Sequence, residues 1–248
     1  MVDYQATKNY LANKTILVTG AGDGIGKAAA RHYAKYGATV ILLGKTVSKL
    51  EQVYDQIMDE GGEEPAIVPL DLLGASPQHY RDMASTIGDQ FGQLDGLLHN
   101  ASILGDLGPF AHISEKDWQQ IMQVNVSSQF YMTQALLPIL EKSPGASVIF
   151  TSSSVGLKGR AYWGAYAVSK FATQGMMEVL ADEYENRNTR FNCINPGGTR
   201  TAMRAKAFPA EDANLLKIAD DIMPLYLYLM DVQRSTENGQ TLHAQPKT

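Results

Sequence analysis

Six times between residues 14 and 195, a short apolar run gives way to a stretch with helical spacing, and this alternation sets narrow limits on the fold. The runs are KTILVT (14–19), TVILL (39–43), AIVPL (66–70), LDGLLHN (94–100), SVIFTS (147–152) and RFNCIN (190–195). Between them lie helical patterns over 26–36, 46–60, 76–91 and 114–141, and a further one that carries Tyr166. TVILL is a continuous apolar run after its opening threonine, which suits a strand buried on both faces, as in parallel sheets covered by helices. Parallel strands need long crossovers, and the helices supply them. ADDIMPLYLYLM (219–230) adds a last helix and TLHA (241–244) a short run able to close the sheet. No repeat, low-complexity tract or linker interrupts the series. The pattern predicts one doubly wound α/β domain over residues 1–248, with a mostly parallel, seven-stranded sheet.

Composition then removes several classes of function. The net charge of −5 and pI near 5.5 argue against nucleic acid or an anionic membrane as partner, because both require a basic face. A single cysteine, Cys193, can build neither a disulfide nor a thiolate cage, and it reads as a small buried hydrophobe in a reducing compartment. The start MVDYQATKNY lacks the apolar core of a signal peptide, and no apolar run approaches the ~20 residues needed to span a bilayer. A cytoplasmic protein is expected. The five histidines, at 32, 79, 99, 112 and 243, show no ligand spacing, so no metal is expected. No serine sits in a G-x-S-x-G elbow, which sets aside a Ser153-based acyl transferase.

In doubly wound sheets ligands bind beyond the carboxyl ends of the strands, and the distinctive residues of this chain fall there. After the first run comes Gly20-Ala21-Gly22-Asp23-Gly24-Ile25-Gly26. Such glycines allow a sharp turn and a close backbone approach to a pyrophosphate, which a helix N-terminus attracts. Gly44 and Lys45 end the second run, where a dinucleotide's adenosine ribose would lie. An acid there selects NAD and a base accommodates the extra phosphate of NADP; with no acid and one lysine, NADP is expected over NAD. Asp23 opposes this, since its charge beside the phosphate turn disfavours a further phosphate.

Asp71 and Leu72 follow the third run, placed either to meet adenine or, for Asp71, to cap the next turn. Asn100 and Ala101 follow the fourth and can line the second ribose. Pro196, Gly197, Thr199 and Thr201 lie beyond the sixth, where they can grip a carboxamide and a phosphate or form a plain loop exit.

Tyr166 and Lys170 are four apart on a helical pattern and so share one face. A tyrosine titrates near 10, and moving it to about 7 takes roughly 4 kcal/mol, within reach of a close ammonium plus a charged ligand. Ser153, at the end of the fifth run, can hold a substrate oxygen. Asn125, a poor interior helix former, is expected either to face water or to hold a relay water beside the pair. Residues 203–217 read as a lid, with Leu157, Tyr162 and Trp163 as candidate lining.

Together TGAGDGIG, the Asn100-Ala101 turn, Asn125, Ser153, Tyr166-x-x-x-Lys170 and NPGGTRT resemble, in order and over essentially the whole chain, the short-chain dehydrogenase/reductase family. That resemblance implies a Rossmann-type fold, hydride transfer between NAD(P) and a carbonyl or alcohol, and a catalytic tetrad of Asn125, Ser153, Tyr166 and Lys170. It also implies a role for Lys170 at the nicotinamide ribose and a homodimer or homotetramer. Ser102, where the family often has glycine, and the ending QTLHAQPKT depart from the pattern. The rival expectation is a sensor that binds NADP on the same fold without turnover.

Overall fold

The computed structural model describes residues 4–246; residues 1–3 and 247–248, at the two ends of the expected domain, lie outside the described residues. The seven strands are β1 (Thr15–Thr19), β2 (Thr39–Gly44), β3 (Ala66–Pro69), β4 (Gly96–His99), β5 (Ala146–Thr151), β6 (Thr189–Asn195) and β7 (Thr241–His243). They form one sheet in the order β3-β2-β1-β4-β5-β6-β7. Every pairing is parallel, in registers such as Thr15↔Thr39, Ile16↔Gly96 and Gly96↔Ser147. The expectation of a mostly parallel sheet is thereby sharpened. β7 joins β6 in parallel through Cys193↔Thr241, so no strand is reversed.

The helices are α1 (Gly24–Lys35), α2 (Val47–Asp59), α3 (Pro77–Phe91), α4 (Glu115–Met122), α5 (Ser128–Leu140), α6 (Gly164–Glu183), α7 (Ala202–Ala207) and α8 (Met223–Met230). They divide between the two faces, as the strands' side-chain alternation requires. Ile16, Val18, Val40 and Leu42 pack with Tyr33 of α1, Val53 of α2 and Tyr226 of α8. Leu17, Ile41 and Leu43 point the other way, to Tyr80 of α3, Leu136 of α5 and Met177 of α6. Because both faces are covered, both alternating sets are apolar. Each such side chain, fully buried, contributes about 1.5–3 kcal/mol of transfer free energy.

The amino ends of the strands are tied by a charged group inside the fold. Asp95, buried before β4, accepts from the backbone N–H of Thr15 at 3.0 Å, from Lys14 Nζ at 3.0 Å and from Ser143 Oγ at 2.6 Å. One carboxylate thus fixes the starts of β1 and β4 and the loop before β5. Its satisfied oxygens make burial tolerable.

One expectation fails locally. Residues 114–141 do not form a continuous α-helix, because a π-helical turn at Gln123–Ser127 separates α4 from α5. The N–H of Ser128 reaches the carbonyl of Gln123, five residues back, so the chain takes one extra residue per turn there. Asn125 lies inside that turn.

Candidate active site

A cavity of about 660 Å³ runs along the carboxyl edge of the sheet. It crosses the boundary between β1 and β4, where the strand order reverses. The glycine turn forms its floor. Gly20 and Gly24 take φ of +67° and +51°, in the left-handed region that favours glycine. A Cβ on Gly26 would lie 2.2 Å from the Gly20 carbonyl oxygen, so only glycine lets α1 start this close to β1. Gly20, Gly24 and Ile25 line the cavity; Gly26 supports the turn from behind. Backbone pressed this close, opening onto a helix N-terminus, fits a dinucleotide's pyrophosphate.

Asp23 caps α1 by accepting from the Gly24 N–H at 2.8 Å, and its other oxygen meets Lys49 Nζ at 2.5 Å. That hydrogen bond is the main reason its carboxyl is held below the usual range. The opposition expected from Asp23 is therefore reduced: its charge is already answered by Lys49, a residue the sequence did not single out. Gly44 and Lys45 line the same end, and Lys45 pairs with no carboxylate among the described residues. Asp71 lines the cavity with Leu72 and accepts from the Leu73 N–H at 3.1 Å, the turn-capping role, which leaves it at the cavity edge.

Asn100 and Ala101 are placed by Thr19, which was not anticipated. Thr19 Oγ1 accepts from both their N–H groups, at 2.9 and 3.0 Å, and donates to the Leu98 carbonyl. Beyond β6, Pro196, Gly197, Thr199 and Thr201 all line the cavity. Thr201 caps α7 through the Arg204 N–H. Gln245, also missed, donates from Nε2 to the carbonyls of Pro196 at 2.8 Å and Gly198 at 3.0 Å, so the C-terminal segment latches this loop.

Ser153 and Tyr166 face the cavity together. Ser153 follows β5 in extended backbone and caps the 3-10 turn Ser154–Gly156. Burial pushes Tyr166 up to about 12, with hydrogen bonding from Ser153 pulling the other way. The expected depression by Lys170 is absent, and the position of Lys170 explains why. Its side chain lies beneath the cavity wall, 1% exposed, with Nζ donating to the Thr151 carbonyl at 2.8 Å and 5.5 Å from the centre of the Tyr166 ring. Desolvation brings Lys170 itself down to about 8.

Asn125 differs more from expectation. It is fully buried and faces neither solvent nor the cavity. Its Oδ1 accepts from the Ile103 N–H at 2.8 Å, and its Nδ2 donates to the Ile103 carbonyl at 2.9 Å and to Ser169 Oγ at 3.0 Å. Both amide protons are spent, so this side chain clamps the loop after β4 to α6 and has no donor left for a relay water. Leu157 and Tyr162 are exposed rather than lining. Trp163 does line the cavity, and residues 203–217 contribute Met203, Arg204, Ala207 and Phe208. Ser102, the departure from the family pattern, also lines the cavity, as does Arg160, which no sequence expectation named. No helix among the described residues is long and apolar enough to cross a membrane.

Strand order, glycine turn and cleft at the reversal point define a doubly wound nucleotide-binding protein. The family model described as short chain dehydrogenase matches residues 14–212. A protein of Escherichia coli strain K12 named "Uncharacterized oxidoreductase YciK" is 56% identical over 243 residues, 98% of this chain and 96% of its own length. A short chain dehydrogenase from Shigella flexneri 2a strain 301, solved complexed with NADP, has a TM-score of 0.94 and 55% identity, covering 97% of this chain and 100% of its own. One from Escherichia coli CFT073, complexed with NADPH, has a TM-score of 0.94 and 56% identity with the same coverage. The chain belongs to the short chain dehydrogenase family of oxidoreductases.

Burial of Lys170 has a measurable consequence for stability. Its folded pKa, about 8, lies below its ordinary value of 10.5, so folding penalises the ammonium form. The penalty is complete below pH 8, fades as pH rises towards 10.5 and is gone above it. Lys170→Met carries no such term. Wild type should therefore gain stability relative to Lys170→Met between pH 8 and 10.5, read as the difference in Tm by calorimetry. A difference that is flat across this window would show that Lys170 is not buried as a strained cation.

Proposed function

We propose that the protein transfers hydride between NADP(H) and a carbonyl or alcohol, with Tyr166 as the acid–base. The observation that carries this reading is the meeting of the Ser153 and Tyr166 side chains on one cavity wall above the buried ammonium of Lys170. NADP is favoured over NAD because Lys45, just beyond β2, pairs with no carboxylate among the described residues, Asp23 is paired to Lys49, and relatives are complexed with NADP and NADPH. In this reading the glycine turn holds the pyrophosphate, Lys45 the 2′-phosphate, Asp71 and Leu72 the adenine, and Asn100 and Ala101 the ribose near the reacting ring. Pro196, Gly197, Thr199 and Thr201 hold the remaining end. When bound, the cofactor supplies or takes the hydride.

The protein's own residues handle position and the proton. Ser153 donates to the substrate oxygen and fixes it beside Tyr166. Tyr166 then gives its hydroxyl proton to that oxygen in reduction and recovers it in oxidation. With burial holding it near 12, Tyr166 is protonated at neutral pH, as a proton donor must be. Lys170 remains charged below about 8 and acts by position, its Nζ holding the Thr151 carbonyl at the end of β5, the strand that leads to Ser153. Asn125 acts by position, holding the Ile103 backbone against α6. Self-association belongs to the same reading: Phe130 of α5 and Phe171 and Val179 of α6 are 48%, 45% and 57% exposed, more apolar surface than a solvated helix pair needs.

Three measurements test this. Tyr166→Phe keeps the packed ring and loses the hydroxyl, so NADPH affinity should persist while carbonyl reduction falls by about 10²–10⁴-fold. Retained turnover rejects Tyr166 as donor, and tight NADPH binding without turnover of any carbonyl favours a sensor. Lys45→Glu should weaken NADPH binding relative to NADH; an unchanged ratio of the two dissociation constants removes Lys45 from cofactor selection. Light scattering should give a multiple of the 27.1 kDa chain, and a monomer at micromolar concentration excludes the oligomer.

A further inference from the structure

We propose that Arg160 makes the substrate end of the cavity a carboxylate site, so that the substrate is a carbonyl compound bearing a carboxylate. The inference rests on the reading of Tyr166 as proton donor. Arg160 lies on the loop that leads into α6 and lines the cavity. Its guanidinium carbon is 5.9 Å from the centre of the Trp163 ring and 5.8 Å from that of Phe208. The Trp163 ring is in turn 5.9 Å from the Tyr166 ring, inclined at 51°. Proton donor and cation therefore flank the same indole, and an apolar wall spans the space between them.

Charge around this end shows why Arg160 matters. Arg204 also lines the cavity, but its Nε and Nη2 each bind Glu211 at 2.6 Å, which neutralises it. Lys206 pairs with Asp106, and Lys49 pairs with Asp23. Arg160 pairs with no carboxylate among the described residues. The acids that line the cavity are Asp23 and Asp71, both at the ends of β1 and β3, away from Trp163. Arg160 is exposed at the rim, and its contact with the two aromatic rings keeps its fork of N–H donors beside the cavity mouth. That fork matches a carboxylate in two parallel hydrogen bonds. One uncompensated positive charge balances one monoanion; a phosphate ester, nearly doubly charged at neutral pH, would leave an excess.

The test uses protein saturated with NADPH. Hexanoate and hexanamide serve as unreactive probes by thermal shift, and 5-oxohexanoate and its methyl ester as a reactive pair. Hexanoate should stabilise the wild type and hexanamide should not, with the effect lost in Arg160→Gln and partly kept in Arg160→Lys. The keto acid should exceed its ester in kcat/KM by about 10- to 100-fold, the range expected for one charge-assisted contact. In Arg160→Gln that ratio should collapse through KM, with NADPH affinity and melting unaltered. If hexanoate and hexanamide act alike, or Arg160→Gln keeps the preference while ketones are still reduced, the carboxylate site is wrong and the proposed reaction stands. If hexanoate binding depends on Arg160 but no carbonyl is reduced, the site survives and the reaction does not. A larger shift from hexyl phosphate than from hexanoate overturns the carboxylate assignment.

Discussion

The approach of the β1 end to the β4 end is the contact on which the cleft depends. These strands are neighbours in space but leave in opposite directions around the sheet, so their ends diverge and open a crevice. Thr19 keeps the divergence narrow by bonding three backbone groups of the β4 exit at once. Gly20 then turns with φ +67°, and a Cβ there would lie 3.1 Å from Ala101 Cα. Anything larger would push the two loops apart. The turn, the Asn100 loop and the start of α1 are thus one packed unit. Asn125 extends it through Ile103 to α6, which carries Tyr166 and Lys170.

The same burial that organises this unit sets its electrostatics. Lys170 is enclosed between α6 and the end of β5, and its one side-chain hydrogen bond among the described residues is to the Thr151 carbonyl. A buried ammonium with so few partners is costly, as its lowered pKa reflects. Tyr166, buried beside it, moves the opposite way, since desolvation disfavours phenolate as it disfavours ammonium. Two groups whose charged forms are both penalised are poised to respond to a charged ligand. An arriving anion would favour the ammonium and disfavour the phenolate, so a ligand's charge acts on the two in opposite senses.

What the sequence made legible follows from which constraints are local. Strand runs and helix periods mark seven strands and most helices because each reports one residue's burial at a time. The glycine turn is legible for the same reason: left-handed backbone at Gly20 and Gly24 demands the residue type. The π turn was hidden, because the spacing from 114 to 141 suits a straight helix and the extra residue is absorbed where Asn125 meets Ile103 and Ser169. Lys170 could be placed on the face of Tyr166 but not beneath the wall, since depth depends on how α6 seats against β5. Thr19 and Gln245 act across 81 and 49 residues of chain, with no local pattern to mark them. Arg160 reads in sequence as any loop arginine; its aromatic neighbours and missing acid partner exist only in three dimensions.

Charge is distributed against the average of the molecule. The chain carries a net −5, which favours solubility, yet the two cavity cations that pair with no carboxylate among the described residues are Lys45, beyond β2, and Arg160, beside Trp163. Uniform negative charge would repel a phosphorylated dinucleotide and an anionic substrate alike. Local pairing resolves the conflict. Asp23 is neutralised by Lys49 where the phosphate turn begins, and Arg204 is neutralised by Glu211 where its charge would double that of Arg160. Low-dielectric walls such as Trp163, Phe208 and Leu43 focus the remaining field along the cleft. In the proposed reading, Lys45 answers the extra phosphate at the nucleotide end and Arg160 a single negative charge at the substrate end, while the net charge of the chain stays negative.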